Sequence, residues 1–313
     1  MAPIPTILVA SRFLLSRREA WDDGWGILGP DDIDAGLSAE AAARIEVIVS
    51  DGERLDRKLV EAIPNLKLVA CFSTGYAGID LQHLRSRRIA VTTAGGVNAH
   101  DVADHAMALL LAWWHRIPAA DRNVRAGTWR DQLTPRPSLR GKRLGIVGLG
   151  RVGLQIARRA EALELTVTWW GPHEKPGTHY ARAESPVTLA AVSDILIVAA
   201  RATPANAGTI NTEVMQALGP KGLLINVSRG FLVDEAALVG ALRLGTIGGA
   251  ALDVFAHEPT QAALWSRFEN VVLSPHIAGY TEEAGIAMFG QLRENIRRHF
   301  AGAPLLSPVE DKV

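Results

Sequence analysis

Residues 143–162 constrain the fold of this chain more than any other stretch. A short apolar run, Arg143-Leu-Gly-Ile-Val, enters Gly148-Leu-Gly150-Arg-Val-Gly153, and a helical pattern over Val152–Ala162 follows. In a strand–G-x-G-x-x-G–helix unit the first glycine permits the tight turn. The second lets backbone approach a pyrophosphate, and the third lets the helix sit close to the sheet. The helix start then offers unpaired amides and the positive end of its dipole to phosphate. Taken alone, the motif is equally a glycine turn in any α/β sheet. Its context makes it a dinucleotide loop. Strand-like runs continue at Leu165–Trp170, Ile195–Ala200, Leu223–Val227, Gly249–Val254 and Val271–Leu273, interleaved with helical patterns at Thr212–Ala217, Asp234–Leu244 and Glu282–Phe300. That alternation predicts a parallel sheet covered on both faces.

A chain of 313 residues has room for two domains. Upstream runs at Ile4–Ala10, Val47–Ser50 and Leu68–Cys71, with a helix over Leu55–Ala62, predict a separate α/β unit. Residues 99–117 hold no Gly or Pro and read as one long helix, followed by a helix-plus-loop region to Arg140. Hinges are placed near 98 and 283. The expected division is 1–98 plus 284–313 for one domain and 99–283 for an inserted dinucleotide-binding domain. The 33 Lys and Arg balance 33 Asp and Glu, which argues against nucleic acid or an anionic membrane as partner. The N-terminal apolar run is short and lacks a positive leader, so it reads as a strand, and no apolar stretch is long enough to span a bilayer. The single cysteine, Cys71, excludes an internal disulfide framework and fits a reducing, cytoplasmic compartment.

The cofactor's ribose is read at the end of the second strand, where NAD binders carry Asp or Glu. That slot falls on Gly171, with His173 and Lys175 just beyond. No carboxylate stands there to repel a 2′-phosphate, so NADP(H) is expected, with NAD(H) possible. Glu174 offers a competing route to the ribose, and no Arg is in view to support a phosphate.

Three segments follow predicted strands: Asn226-Val-Ser-Arg229-Gly230, Asp253-Val-Phe-Ala-His257-Glu258-Pro259 and Ser274-Pro-His276-Ile-Ala-Gly279. Ligands of open α/β sheets bind beyond the carboxyl ends of the strands, so an Arg, a Glu and a His can converge there. Together with Gly148–Gly153, Phe72–Asp80 and Gly96-Val-Asn98, this ordered set resembles the D-isomer-specific 2-hydroxyacid dehydrogenase family, which includes glyoxylate and hydroxypyruvate reductases. The resemblance implies an α/β fold of two doubly wound parallel-sheet domains. A Rossmann-type nucleotide-binding domain is inserted into a flavodoxin-like substrate domain. It also implies roles. Arg229 anchors the carboxylate of a 2-oxo acid and polarises its carbonyl, and the backbone at Thr74 and Gly75 holds the other side. His276 donates the proton, and Glu258 hydrogen-bonds it and favours its protonated form. Asp253 orients the nicotinamide amide, alone or through its backbone. Thr203, Val227 and Gly279 line the cofactor trench, and Arg151 and Val152 meet the pyrophosphate.

His257, beside Glu258, is the alternative acid. His100, His105 and His115 lack metal-ligand spacing and read as packing or capping residues; no metal is expected. Trp113, Trp114 and Trp129 read either as core or as a dimer interface, the latter implied by the resemblance through residues 99–140. A non-enzymatic dinucleotide-sensing scaffold of the corepressor type is the alternative function. The retained Arg–Glu–His set favours a reductase.

Overall fold

The structure, a computed structural model, describes residues 4–17, 21, 23–52, 55–76, 78–130 and 134–309. Ala77, within the Phe72–Asp80 segment, lies outside them. The chain divides into two compact units, Met1–Asn98 with Glu282–Val313, and Ala99–Thr281.

The first unit runs β1 (Thr6–Val9), α1 (Arg12–Leu15), β2 (Gly26–Leu28), α2 (Pro30–Asp34), α3 (Ala39–Arg44), β3 (Ile45–Ser50), α4 (Arg57–Glu61), β4 (Leu68–Cys71), α5 (Leu81–Ser86) and β5 (Ala90–Thr92). Its five strands are parallel in the order β2-β1-β3-β4-β5, the doubly wound order of flavodoxin-like sheets. The central strands are buried on both faces, as parallel strands must be when helices cover both sides. Leu8, Ile48 and Val69 face one cluster, and Ile7, Val9, Val47 and Val49 the other.

The second unit opens with α6 (Ala99–Trp114) and α7 (Ile117–Arg125). It continues through β6 (Arg143–Val147), α8 (Arg151–Ala162), β7 (Thr166–Trp170), β8 (Ala181–Arg182), α9 (Pro186–Ala191), β9 (Ile195–Val198) and α10 (Thr212–Leu218). It closes with β10 (Leu223–Asn226), α11 (Glu235–Leu244), β11 (Gly249–Leu252), α12 (Ala262–Trp265) and β12 (Val271–Leu273). The seven strands are parallel in the order β12-β11-β10-β9-β6-β7-β8. Winding reverses at β6, so the loop leaving β6 sits at the crevice where such sheets bind ligands. On one face α6 and α8 bury Val102, Ala106, Leu110, Ile156 and Ala160 against Leu144 and Ile146. On the other, α9, α10 and α11 bury Leu189, Val214 and Leu238 against Val147, Leu196 and Leu224. The last helix, α13 (Glu282–Phe300), returns to the first unit and packs Leu292 and Ile296 on Ile7, Val9 and Val49. Fully burying an aliphatic side chain of that size is worth about 2 kcal/mol.

The long helix expected over 99–117 stops at Trp114. Arg116 takes a left-handed conformation (φ 55°), and Pro118, in the first turn of α7, starts a new helix. A proline has no N–H to continue the earlier helix, but it is at home in a first turn. Several strands end earlier than expected: β9 at Val198 rather than Ala200, β10 at Asn226 rather than Val227, and β11 at Leu252 rather than Val254. The residues beyond each strand end begin the loops described below. Edge strands β2, β5 and β8 and the short helices α1, α2, α3, α5, α9 and α12 have two to six residues each. That is too few for a period to show in sequence. Among the described residues no helix is long and apolar enough to cross a membrane.

Candidate active site

The phosphate loop divides its labour among three glycines. Gly148 has φ 96°, and a Cβ there would strike the Ala200 backbone; its N–H donates to the Trp170 carbonyl at 2.8 Å. A Cβ on Gly153 would collide with the Gly148 carbonyl, so the close fit of α8 to the turn requires glycine. Gly150 differs: nothing lies within 4 Å of where its Cβ would be. It is the N-cap of a twelve-residue helix whose first residues are Arg151 and Val152. The open space over Gly150, at the start of this helix, is a cradle that a side chain would fill and a pyrophosphate fits.

Gly171, at the ribose slot, is buried, and a Cβ on it would lie 3.1 Å from Trp169 Cζ3. His173, Glu174 and Lys175 are exposed on the loop beyond. The expectation that no Arg attends this slot is overturned. Arg182 pairs opposite Trp169 in the β7–β8 ladder, places its guanidinium 5.8 Å from the Trp169 ring centroid and donates from Nη2 to the Gly171 carbonyl at 2.8 Å. No sequence period flags a residue on a two-residue edge strand. Thr203 caps the turn Pro204–Asn206 through its N–H to Asn206 Oδ1 (2.8 Å), and Val227 is buried with its N–H on the Val198 carbonyl (3.3 Å).

The Arg–Glu–His set lies wholly within the second unit, on the loops leaving β10, β11 and β12. Asn226 clasps the first loop: its Oδ1 accepts from the Ser228 N–H and its Nδ2 donates to the Arg229 carbonyl, both at 3.0 Å. Gly230 has no Cβ, which lets this turn press directly on the Phe255–Ala256 backbone. Arg229 is thereby seated beside the segment that carries Glu258. Its Nη1 donates to the Ser228 carbonyl at 2.7 Å. Burial pushes the guanidinium pKa down and the negative charge of Glu258 opposes that fall, so the two groups lie within each other's field.

Glu258 is held at both oxygens. Oε1 accepts from the Phe255 N–H at 3.0 Å, and Oε2 lies 2.6 Å from His276 Nδ1. His276 has φ 55°, a left-handed conformation rare for a residue with a Cβ; its N–H donates to the Asp253 carbonyl at 2.8 Å. The imidazole is 44% exposed, which leaves Nε2 available to a ligand. Of the two candidate histidines it is His276 that engages Glu258, whereas His257 is exposed beside it.

Asp253, expected to orient the nicotinamide amide alone or through its backbone, is fully buried with its carboxylate turned inward. Oδ1 accepts from Ser274 Oγ (2.6 Å) and the Ile277 N–H (2.9 Å), and Oδ2 from the Ala278 N–H (2.9 Å). Burial alone would raise its pKa. Hydrogen bonds from His105, Ser274, Ile277 and Ala278 outweigh that and hold it at about 2. Asp253 therefore organises the loop around His276, up to the half-buried Gly279. The strand–Asp pattern marked this residue; its partners Ser274 and His105 carried no local signal.

In the first unit, the turn after β4 holds Thr74 and Gly75, both half-buried. The Ser73 hydroxyl donates to the Gly75 carbonyl, and Gly52 (φ 91°) lacks the Cβ that would collide with both. Trp113 and Trp114 act within their own unit. Trp113 Nε1 donates to the Asn270 carbonyl at 2.8 Å, and Trp114 is buried with Nε1 on the Pro137 carbonyl at 3.1 Å. These contacts fit the core reading, and of the three Trp129 stands exposed, at 64%.

Residues 107–278 match the family described as D-isomer specific 2-hydroxyacid dehydrogenase, NAD binding domain. The chain is 43% identical over 276 residues to a hydroxyphenylpyruvate reductase of Plectranthus scutellarioides, covering 87% of this chain and 88% of that one. It is 43% identical over 257 residues to a glyoxylate/hydroxypyruvate reductase A of Arabidopsis thaliana, covering 81% and 82%. Among solved structures, a 2-hydroxyacid dehydrogenase of Ketogulonicigenium vulgare Y25 superposes with TM-score 0.89 at 36% identity over 98% of both chains. An NADPH-dependent glyoxylate/hydroxypyruvate reductase of Sinorhizobium meliloti, in complex with NADP and malonate, gives 0.87 at 36% identity, covering 98% and 97%. With its phosphate loop, its Arg–Glu–His loops and these likenesses over nearly its full length, the chain belongs to the D-isomer-specific 2-hydroxyacid dehydrogenase family.

Proposed function

We propose that this protein reduces a small 2-oxo acid of the glyoxylate or hydroxypyruvate type to the D-2-hydroxy acid, with NADPH preferred over NADH. The observation that carries the reading is the 2.6 Å bond between His276 Nδ1 and Glu258 Oε2, with Arg229 held in the field of the same carboxylate. Gly148, Gly150 and Gly153 would hold the pyrophosphate of a reduced nicotinamide dinucleotide, which would supply the hydride. Because Glu258 occupies Nδ1, His276 presents Nε2 as the proton donor to the carbonyl oxygen, and after transfer the imidazole keeps its Nδ1–H, donated to Glu258. The Arg229 fork, fixed by its bond to Ser228, takes the substrate carboxylate. The absence of a side chain at Gly171, with Arg182 on its carbonyl and Lys175 nearby, supports a 2′-phosphate on the ribose. The names of the Arabidopsis and Sinorhizobium proteins support the substrate class and the cofactor.

The test is loss of reduced-nicotinamide absorbance over a panel of glyoxylate, hydroxypyruvate and aryl-pyruvates with each cofactor. NADPH oxidation by one of the first two, lost in His276→Ala with cofactor binding retained, is the expected result. A protein that oxidises neither cofactor with any 2-oxo acid refutes the reading.

We further propose a homodimer through residues 99–140. The α7 segment buries no side chain in its own unit, and Ile117, Val124 and Trp129 are exposed at 55%, 58% and 64%. A monomeric mass at micromolar concentration would refute it. A cytoplasmic setting is kept from the lone, buried thiol of Cys71, whose pKa burial raises to about 12; recovery in a secreted fraction would refute that placement.

A further inference from the structure

His105 sits mid-way along α6, far from the loops of the catalytic set in sequence. Its Nε2 lies 2.8 Å from Ser274 Oγ and 3.4 Å from Asp253 Oδ1, and the side chain is largely buried. The hydrogen inventory of this cluster is closed. An ionised Asp253 only accepts, and the Ser274 hydroxyl has one hydrogen, which its 2.6 Å contact directs at Oδ1. The Ser274 oxygen can then only accept, so His105 is its donor through Nε2–H, a hydrogen that Asp253 Oδ1 shares at the longer distance. Asp253, fully buried, needs every such donor to remain charged away from water.

The same carboxylate holds the Ile277 and Ala278 N–H groups, and the Asp253 carbonyl holds the His276 N–H. These bonds bracket the left-handed His276, a conformation that persists only where its surroundings over-determine it. We infer that His105 is a positioning residue for His276: its bond to Ser274 locks the Ser274–Asp253 pair that holds the His276 turn against Glu258. The inference rests on the reductase reading for its kinetic consequence, but not for its structural one.

Two readouts test it. In His105→Ala, kcat falls about ten- to hundredfold, the scale of a small misplacement made at a distance from the chemistry, with the KM for cofactor unchanged. His105→Gln, which keeps a donor near Nε2, recovers most of the loss, and His105→Leu, which keeps only bulk, does not. The double variant His105→Ala/Ser274→Ala falls no further than the worse single one, because both act through one network. Independently of turnover, the Ile277 and Ala278 amides exchange with solvent faster in His105→Ala and are protected again in His105→Gln. Unchanged amide protection in His105→Ala, equal behaviour of Gln and Leu, or additive losses in the double variant would each overturn the assignment. An unsubstituted protein that turns over no 2-oxo acid removes the reductase reading while the exchange measurement still decides the role of His105.

Discussion

Asp253→Asn is the most informative single substitution, because size is preserved and only charge and one acceptor are lost. The carboxylate takes Ser274 and Ile277 at Oδ1 and Ala278 at Oδ2. An amide keeps the two donors at its oxygen only by aiming its own NH₂ at the Ala278 N–H, which leaves a buried backbone donor unmet. That costs about 1–3 kcal/mol. Linkage gives a second route to the magnitude. A carboxyl held at about 2 in the fold and returned to its ordinary 3.8 on unfolding contributes on the order of 2.5 kcal/mol at neutral pH. Because the folded pKa is the lower one, the stabilisation is complete above about pH 4 and is lost as pH falls from there towards 2. Urea unfolding followed by tryptophan fluorescence should therefore show Asp253→Asn less stable than the parent by about 2–3 kcal/mol at pH 7. The gap should stay constant down to about pH 5 and narrow below 4. Equal stability at pH 7, or a gap that widens on acidification, would refute the reasoning.

Other expectations follow from the same geometry. Arg229→Ala should raise KM for the 2-oxo acid and lower kcat together, since the guanidinium is assigned to both carboxylate and carbonyl; a change in kcat alone would separate those roles. Gly150→Val should weaken cofactor binding at least tenfold, measured by fluorescence titration, with little change in stability, because its Cβ would meet only open space. Gly148→Val should instead unfold the second unit at lower urea, since its Cβ would strike Ala200. Arg182→Ala should raise KM for NADPH by about tenfold and leave that for NADH nearly unchanged; equal effects on both would detach Arg182 from the phosphate. It is a cleaner probe than Gly171→Asp, whose Cβ must crowd Trp169 at 3.1 Å.

Much of the site was legible because it follows rules that act locally. A strand that ends in glycines and runs into a helix leaves few conformations for Gly148, Gly150 and Gly153. Arg229, Glu258 and His276 each stood just past an apolar run, where a parallel sheet presents its loops. Arg182 was missed because a two-residue edge strand has no period. The inward turn of Asp253 was missed because carboxylate orientation depends on donors contributed by Ser274, Ile277, Ala278 and, from α6, His105. Trp114 stayed open between core and interface because a buried indole and an exposed one look alike until the Pro137 carbonyl is seen to take its N–H.

Sequence by itself determined the alternation of strand and helix, the parallel sheets that alternation demands, and the order of the chemical groups along the chain. Those are consequences of hydrophobic period and glycine geometry, which act over a few residues. Tertiary structure alone decided which histidine meets Glu258, where Arg182 lies, and that Asp253 builds the His276 turn from beneath. A hydrogen bond between groups 18 residues apart, or a histidine reaching Ser274 from 169 residues away, is set by how helices and strands pack. No local pattern records that distance.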